Sequence, residues 1–275
     1  MLKLRVATAV VLLVLFLLAL FALPAFGWVA FVMVVVLQGA SEWSKLAKLD
    51  STKASLFWGL TLAMLLGLAW FDANHSSGQQ ALLHLPIYAV SALLWLFIVP
   101  TLLMTGWKVV EQPWLMALVG WAVLIPTGLA MLDLRAINPW ILLFVMGLVA
   151  AADISAYFAG RKFGKHKLAP SISPGKTWEG VAGAMLGVSI YIVAVWRFSP
   201  DLSQHEVLPG LLLASWWWVG LAVIGDLFES AIKRQAGVKD SGALLPGHGG
   251  LLDRIDALTS TLPLAALVIV LQRLS

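Results

Sequence analysis

Long apolar segments, separated by short polar stretches, run along nearly the whole chain. An α-helix needs about 20 apolar residues to cross the hydrocarbon core of a bilayer, and segments of about this length recur instead of occurring once at an end. The pattern therefore predicts an all-α, polytopic membrane bundle of about nine transmembrane helices. The predicted spans are residues 6–23, 25–40, 55–71, 81–107, 113–132, 138–159, 178–196, 209–228 and 257–272.

The first span also has features of a secretory signal peptide, because Lys3 and Arg5 precede an apolar run. Further spans follow this run, however, where a secreted protein would continue as a soluble domain. We therefore expect an uncleaved first helix. Residues 1–275 then form one transmembrane domain, with the N-terminal and middle helices in 1–140 and the C-terminal helices and polar loops in 141–275.

The basic residues predict the orientation of these spans, since loops rich in Lys and Arg stay in the cytoplasm. With nine spans, all but three of the 18 Lys and Arg residues fall on the side that holds the N-terminus. The two long polar loops, 160–176 and 229–256, lie on that same side and are expected in the cytoplasm. The three basic residues on the other side are Arg135, Arg197 and Arg273.

The composition agrees with a membrane protein and excludes several classes of site. The chain is 61% hydrophobic and 12% charged, whereas soluble domains are about 45–50% apolar and about 25% charged. A net charge of +4 could suggest nucleic acid as a partner, but the basic residues are scattered over short loops without interleaved aromatic residues. The absence of Cys excludes disulfides, thiol nucleophiles and thiolate metal sites.

The strongest concentration of polar residues is the segment from Asp226 to Asp256. Asp226 ends an apolar run, and ionisable groups at such a depth are costly and usually functional. Asp253 and Asp256 are three residues apart, so a helix places them on one face. Mg²⁺ is typically held by one or two carboxylates together with substrate phosphates. We therefore predict a metal site formed by Asp226, Asp253 and Asp256.

A structural explanation of the same residues stays open at this point. Asp226 could cap a helix end, while Asp253 pairs with Arg254 or with a nearby lysine. Glu229 and Lys233 are four residues apart in the favourable order, so an ordinary ion pair on a helix surface explains them as well as catalysis does.

A glycine-rich loop, Pro246 to Gly250, interrupts this segment. Glycines allow positive φ and a close approach of backbone N–H groups to phosphate, although a plain turn has the same composition. His248 fits a proton carrier or a ligand as well as a structural hydrogen bond. We assign substrate binding to Lys233, Arg234, His248, Gly249 and Gly250, and a catalytic role to Asp226, Lys239, Asp253, Arg254 and Asp256.

A second polar cluster lies between Asp153 and Gly180. Asp153 is a further carboxylate near the end of an apolar span. The sequence from Ser173 to Glu179 is typical of a turn that enters a helix, and a lysine at a helix N-terminus suits an anion. Topology alone explains part of the basic run in this loop. We assign substrate binding to Asp153, Arg161, Ser173 and Lys176.

These two segments resemble the phosphatidate cytidylyltransferase family, also called the CDP-diacylglycerol synthases. Ser230 to Asp256 matches the family pattern of Ser-x-apolar-Lys-Arg, four residues, Lys-Asp, then Pro-x-His-Gly-Gly-apolar-x-Asp-Arg-apolar-Asp. Asp153–Gly180 looks like the upstream block of the family. Residues 1–140 contribute only their hydropathy to the resemblance.

The resemblance implies transfer of a cytidylyl group from CTP to phosphatidic acid, with CDP-diacylglycerol and pyrophosphate as products. It implies Mg²⁺ as cofactor, with a second cation left open, and it places the metal-site aspartates of the family on Asp226, Asp253 and Asp256. Phosphatidate is mostly dianionic at neutral pH, so a general base is unnecessary and His248 becomes a loop or nucleotide contact. We expect an active site on the cytoplasmic face of a bacterial-type inner membrane, no nucleic-acid partner, and a homodimer.

Two other functions stay open. Cytidylyl or phosphoryl transfer to an isoprenoid phosphate would need the same kind of site. An ion-coupled transporter would use carboxylates such as Asp153 and Asp226 as a relay, but it would place them near the middle of the bilayer, whereas here they cluster at one predicted face.

Overall fold

The computed structural model of the chain describes residues 2–199, 206–244, 247 and 249–274, with side chains from residue 8 onward. In this part of the chain, nine helices and one two-stranded antiparallel hairpin form the regular structure, with a short 3₁₀ turn at Val109–Glu111. The helices are α1 (Leu2–Ala22), α2 (Ala25–Leu46), α3 (Ser51–Asn74), α4 (Ser77–Thr105), α5 (Pro113–Ile137), α6 (Pro139–Phe163), α7 (Trp178–Phe198), α8 (Leu208–Ala236) and α9 (Leu252–Leu274), and the strands are β1 (Lys167–Ala169) and β2 (Ser173–Thr177).

Eight of the helices, α2 to α9, are long and apolar enough to cross a membrane, as judged over the described residues. The described apolar part of the first helix is shorter, at Thr8–Ala22. The chain is therefore an integral membrane protein with multiple spans, and the predicted all-α bundle is confirmed.

The helices extend beyond the apolar spans that predicted them, mainly at the end of the bundle that carries the polar loops. α2, α6 and α8 continue to Leu46, Phe163 and Ala236, and α9 already begins at Leu252. Hydropathy marks only the part of a helix with apolar surroundings. The polar ends stay helical here because they pack against one another around a charged cavity, which is described below.

Aromatic side chains form the part of the core nearest this cavity. Trp43 of α2 and Trp95 of α4 both contact Phe228 of α8, with ring centroids 6.3 Å and 5.5 Å away. The indole of Trp43 donates a hydrogen bond to the carbonyl oxygen of Met116 at 2.8 Å. These contacts hold α2, α4, α5 and α8 together beneath the polar loops.

Small residues allow α6 and α7 to pack closely. A Cβ added at Gly183 would lie 2.2 Å from the Cβ of Ala159, and one added at Gly187 would lie 1.8 Å from the Oγ of Ser155. Small residues at such interfaces let membrane helices approach each other closely. Because the hairpin β1–β2 connects these two helices, their packing also positions the hairpin beside the cavity.

A buried polar network connects α3, α4 and α5 at the opposite end of the bundle. The imidazole of His84 lies 3.0 Å from Asp72 and 2.9 Å from Asp133, and Tyr88 donates its hydroxyl to Asp133 at 2.8 Å. His84 is only 2% exposed. The sequence analysis missed this network because its members belong to three different helices and form no local motif.

Candidate active site

An open cavity of about 380 Å³ lies where α6, α8 and the start of α9 meet. It contains residues from both polar segments of the sequence, which the fold therefore brings together as expected. Its lining is almost entirely charged. The lining residues are Asp153, Asp226, Ser230, Lys233, Arg234, Lys239, Asp240, Asp253, Arg254 and Asp256.

An ion pair joins the hairpin to α8 at one edge of this cavity. The Nζ of Lys176, on β2, lies 2.5 Å from the Oδ2 of Asp226. Asp226 lies ten residues before the end of α8 at Ala236, which is roughly 15 Å along the helix axis. The alternative that Asp226 caps a helix end is therefore wrong.

Two further carboxylates approach Asp226 from neighbouring helices. Asp153 on α6 and Asp256 on α9 are both close enough to Asp226 for their charges to interact. The Oδ1 of Asp256 accepts a hydrogen bond from the Ala257 N–H at 2.8 Å, and its other oxygen has no hydrogen-bond partner among the described residues. Like charges in one site oppose each other's ionisation, so this cluster favours a bound cation.

Asp253 has different surroundings, although it is only three residues from Asp256. Its Oδ1 accepts a hydrogen bond from Lys233 at 2.6 Å. Its Oδ2 accepts three more, from the N–H and hydroxyl of Ser241 at 2.9 Å and 3.0 Å and from the Gly250 N–H at 2.8 Å. Asp253 thus fixes to α9 both Ser241, which precedes the glycine-rich loop, and Gly250 at the end of that loop. The alternative of a pairing with a nearby lysine is confirmed.

Lys233 links α8 to α9 through Asp253 and also pairs with Glu229 on its own helix. Its Nζ lies 3.1 Å from Glu229 as well as 2.6 Å from Asp253. Glu229 is only 5% exposed, so the surface ion pair considered from the sequence is in fact buried. Removing one partner of a buried pair is strongly destabilising because the other charge is left uncompensated. Lys233 is therefore committed to holding the two helices together.

Glu42 is a residue of this site that the sequence analysis missed. It lies on α2, is 1% exposed, and accepts hydrogen bonds from the N–H groups of Leu251 and Leu252 at 2.8 Å and 2.9 Å. The hydroxyl of Ser241 lies 2.8 Å from Glu42 and shares its single proton between Glu42 and Asp253. The first N–H groups of a helix have no partner within the helix, and a negative charge there is favourable. Glu42 thus anchors the start of α9, but about two hundred intervening residues hide the contact from any local motif.

The other basic residues that the sequence analysis assigned to the site lie at the edge of the cavity or in a cleft beside it. Lys239 and Arg254 are exposed and line the cavity. The Nε of Arg234 donates to the carbonyl oxygen of Ile172 at 3.4 Å and so connects α8 to the hairpin. Arg161 lies outside the cavity, in an adjoining cleft, where it donates to the hydroxyl of Tyr157 at 3.0 Å.

The glycine-rich loop is described only in part. Gly247 and Gly249 have φ angles of +76° and +83°, as the glycine composition predicted. A Cβ added at Gly250 would lie 2.4 Å from the Oε2 of Glu42, so the anchoring contact requires glycine at this position. His248 lies outside the described residues. Ser173 begins β2 and pairs with Ala169 of β1.

A metal ion would meet an incomplete set of protein ligands in this cavity. The described residues contain no group of three or more His, Cys, Asp or Glu side chains arranged to hold a metal ion. Mg²⁺ does not require one, since one or two carboxylates and substrate phosphates are its usual ligands. Asp226 and Asp256 have fewer hydrogen-bond partners than Asp253. The metal site that the sequence predicts from Asp226, Asp253 and Asp256 stays a prediction.

Comparison with known proteins identifies the family. The sequence pattern of the cytidylyltransferase family matches residues 3–272, nearly the whole chain. This chain belongs to the cytidylyltransferase family. Its relatives include the phosphatidate cytidylyltransferase of Haemophilus influenzae, 37% identical over 278 residues that cover 96% of each chain. That of Pseudomonas aeruginosa is 38% identical over 271 residues, which cover 97% of this chain and 96% of the relative.

A match to part of the chain adds a third relative. The phosphatidate cytidylyltransferase of Staphylococcus epidermidis is 45% identical over 129 residues, which cover 47% of this chain and 48% of the relative. The resemblance stated from the two polar segments is thus confirmed. The family match also includes nearly all of residues 1–140, where the sequence analysis could use only hydropathy.

Proposed function

We infer that this protein is a phosphatidate cytidylyltransferase, which transfers the cytidylyl group of CTP to phosphatidate and forms CDP-diacylglycerol. The observation that carries this inference is the similarity, over nearly the full length of each chain, to two phosphatidate cytidylyltransferases. The charged cavity supports it, because the cavity combines cations that suit phosphates with carboxylates that suit a divalent cation.

The reaction needs positioning and charge stabilisation more than proton transfer. A phosphate oxygen of phosphatidate attacks the α-phosphorus of CTP, and the bond from that phosphorus to pyrophosphate breaks. The attacking phosphate, with a second pKa of about 6, is largely dianionic at neutral pH. The task left to the protein is to align the two phosphates and to stabilise the charge that develops on pyrophosphate.

Two cations are available for that task. Lys239 and Arg254 line the cavity, are exposed, and form no side-chain hydrogen bond or ion pair with another described residue. Arg234 is also exposed there, but it donates to the carbonyl oxygen of Ile172. Lys176 and Lys233, in contrast, are paired with carboxylates. We therefore assign Arg254, whose planar guanidinium can bind a phosphate through two hydrogen bonds, and Lys239 to the substrate phosphates.

Mg²⁺ is the proposed cofactor, with Asp226 and Asp256 as the residues that would hold it and Asp153 beside them. When bound, Mg²⁺ would neutralise charge on the phosphate oxygens of the substrates. The chemistry of the donor set fits this ion, because carboxylate oxygens are the ligands it prefers and the cavity has room for phosphates beside them. Asp253 organises the glycine-rich loop in this proposal.

The cavity is proposed to face the cytoplasm of a bacterial-type inner membrane. This orientation follows from the excess of Lys and Arg on the same side of the bundle and from the need to receive CTP from water and phosphatidate from the bilayer. A homodimer stays a prediction.

The choice of acceptor lipid is the experiment that tests this function. The purified protein in detergent would receive CTP and Mg²⁺ together with either phosphatidate or an isoprenoid phosphate, and lipid products would be separated and quantified. We expect CDP-diacylglycerol from phosphatidate and no product from the isoprenoid phosphate. Product from the isoprenoid phosphate alone would overturn the proposed substrate.

A further inference from the structure

An apolar groove of about 530 Å³ lies beside the charged cavity. Its walls come from α1, α2, α5, α6 and α9, and side chains such as Phe16, Val35 and Leu258 line it. The lining is hydrocarbon nearly throughout, in contrast to the cavity. This groove therefore suits an apolar occupant of substantial size.

Arg254 connects the two spaces, since it lines both the cavity and the groove. It is the one charged residue among the described residues that line the groove, and its guanidinium forms no hydrogen bond or ion pair with another described residue. Asp153 is close enough for its charge to interact with that of Arg254, but the two side chains form no ion pair. A cation at the junction of a polar cavity and an apolar groove matches a ligand with an anionic head and a hydrocarbon tail.

The length of the groove matches one leaflet of a bilayer. Along α9 the lining extends from Arg254 to Leu262, which is roughly 12 Å at 1.5 Å per residue. The hydrocarbon core of a bilayer is about 30 Å thick, so the groove reaches through most of one leaflet. A chain in the groove would thus lie at the depth that it has in the membrane.

We propose that this groove binds an acyl chain of phosphatidate, with the lipid phosphate held at Arg254. The proposal rests on the proposed function and adds where the lipid substrate enters the site. Phosphatidate brings up to two negative charges to Arg254, whereas phosphatidylethanolamine brings a single phosphate charge together with an ammonium group that Arg254 repels. The groove therefore selects an anionic phosphate at its polar end.

A second cleft adjoins the cavity on the side of the hairpin and is the competing location. It is lined by Leu168, Val181 and Val223, with Asp153 and Asp226 at its junction with the cavity. The two cations among the described residues of this cleft already have partners, since Arg161 donates to the hydroxyl of Tyr157 and Lys176 pairs with Asp226. The groove with Arg254 is therefore the better path for the lipid.

Substitutions that fill the groove test this assignment. Val35→Trp and Val34→Trp each add an indole to the groove wall, and the control Val90→Trp adds one at an exposed position on α4. We expect both groove variants to raise the KM for long-chain phosphatidate by about tenfold, as expected when a few CH₂ groups lose apolar contact. The KM for dihexanoyl phosphatidate and for CTP stays unchanged. An equal effect on both phosphatidates, or no effect, would overturn the proposal.

Photo-crosslinking locates the acyl chain directly and does not depend on the fold of any variant. Long-chain phosphatidate with a diazirine near the end of one chain would be bound to the unmodified protein and irradiated. We expect labelled peptides from α1, α2 and α9, and much weaker labelling by phosphatidylethanolamine with the same chain. Labelling of α7 and the hairpin, or equal labelling by both lipids, contradicts the assignment.

The experiments distinguish failure of the proposed function from failure of the groove as the acyl-chain site. If the unmodified protein transfers no cytidylyl group to phosphatidate of either chain length, the proposed function fails. If it does so while the groove variants match Val90→Trp and crosslinks fall outside the groove, only the assignment of the groove fails.

Discussion

At the residue scale, Asp253 and Asp256 show how equivalent positions in a sequence acquire different roles. They are one helical turn apart on α9. Asp253 accepts hydrogen bonds from Lys233, Ser241 and Gly250. Asp256, in contrast, has an oxygen without a hydrogen-bond partner in the described part of the chain, and it lies close to Asp226. One carboxylate is thus committed to the structure and the other is available for ligands.

Asparagine at each of these positions separates the two roles. We expect Asp256→Asn to lower turnover at least about 100-fold, or about 2.7 kcal/mol of barrier, with an unchanged thermal unfolding midpoint. Asp253→Asn should lower turnover and also destabilise the fold by about 1–3 kcal/mol, because an amide cannot accept all four hydrogen bonds. Radiolabelled CTP assays and thermal unfolding in detergent measure both.

Glu111→Gln is the matched control for these variants, since Glu111 is an exposed carboxylate whose partner is the exposed Lys108. Near-normal turnover of Asp256→Asn would remove Asp256 from the site. An Asp253→Asn variant with a normal unfolding midpoint and lost turnover would show that Asp253 acts as a ligand and not as an organiser of the loop.

Glu42 is the second residue whose role can be tested. In Glu42→Gln, an NH₂ group replaces one carboxylate oxygen, so the N–H group of either Leu251 or Leu252 would face another donor. Leaving a buried donor without a partner costs about 1–3 kcal/mol, so we expect a lower unfolding midpoint together with reduced turnover. An unchanged midpoint would mean that the start of α9 does not depend on this contact. The control is again Glu111→Gln.

At the element scale, hydropathy predicted the existence and order of the helices but not their polar ends. α8 illustrates the difference, because it continues from the predicted end at 228 to Ala236. Lys233 and Arg234 in this extension are stabilised by partners on α9 and the hairpin. Such partners are distant in sequence, so the hydropathy pattern of α8 itself does not reveal them.

The hairpin was also missed, and its composition explains why. Ser173–Thr177 contains Pro174 and Gly175, which are disfavoured in strands, so the sequence indicated only a turn before a helix. The helix start is confirmed, since the Thr177 side chain accepts a hydrogen bond from the Gly180 N–H. The strand itself depends on pairing with β1.

Close packing of α6 against α7 can be tested with one glycine. In Gly183→Leu, the added Cβ would lie only 2.2 Å from the Cβ of Ala159. The two helices must therefore separate. We expect a lower unfolding midpoint and reduced turnover, because Asp153 and the hairpin move with these helices. Gly67→Leu, which meets no atom within 4 Å, is the control and should behave like the unmodified protein. Equal behaviour of both variants would contradict this account.

At the scale of the whole molecule, the distribution of charge predicts which end of the bundle faces the cytoplasm. The fold brings the loops rich in Lys and Arg to one end, where Arg234 contacts the hairpin at Ile172. The opposite end holds the His84 network and Arg135, which donates to the carbonyl oxygen of Leu20. The sequence thus predicted that the two polar segments share a face, but the roles within the cavity required the structure.

The chain has no native Cys, so single cysteines test this orientation cleanly. Ser171→Cys lies in the hairpin turn and Ser77→Cys at the start of α4, and both positions are exposed. We expect a membrane-impermeant maleimide to label Ser77→Cys in intact cells and Ser171→Cys only after the membrane is permeabilised. The reverse pattern would place the cavity outside the cytoplasm.

The most direct test of the central claim follows the phosphorus atoms of CTP. The purified protein would be incubated with phosphatidate, Mg²⁺ and CTP labelled at either the α- or the γ-phosphorus, beside the Asp256→Asn variant. A cytidylyltransferase puts the α label into the lipid and releases the γ label as pyrophosphate, and the variant should do neither. Transfer of the γ label to lipid, or no lipid labelling by the unmodified protein, would contradict the account.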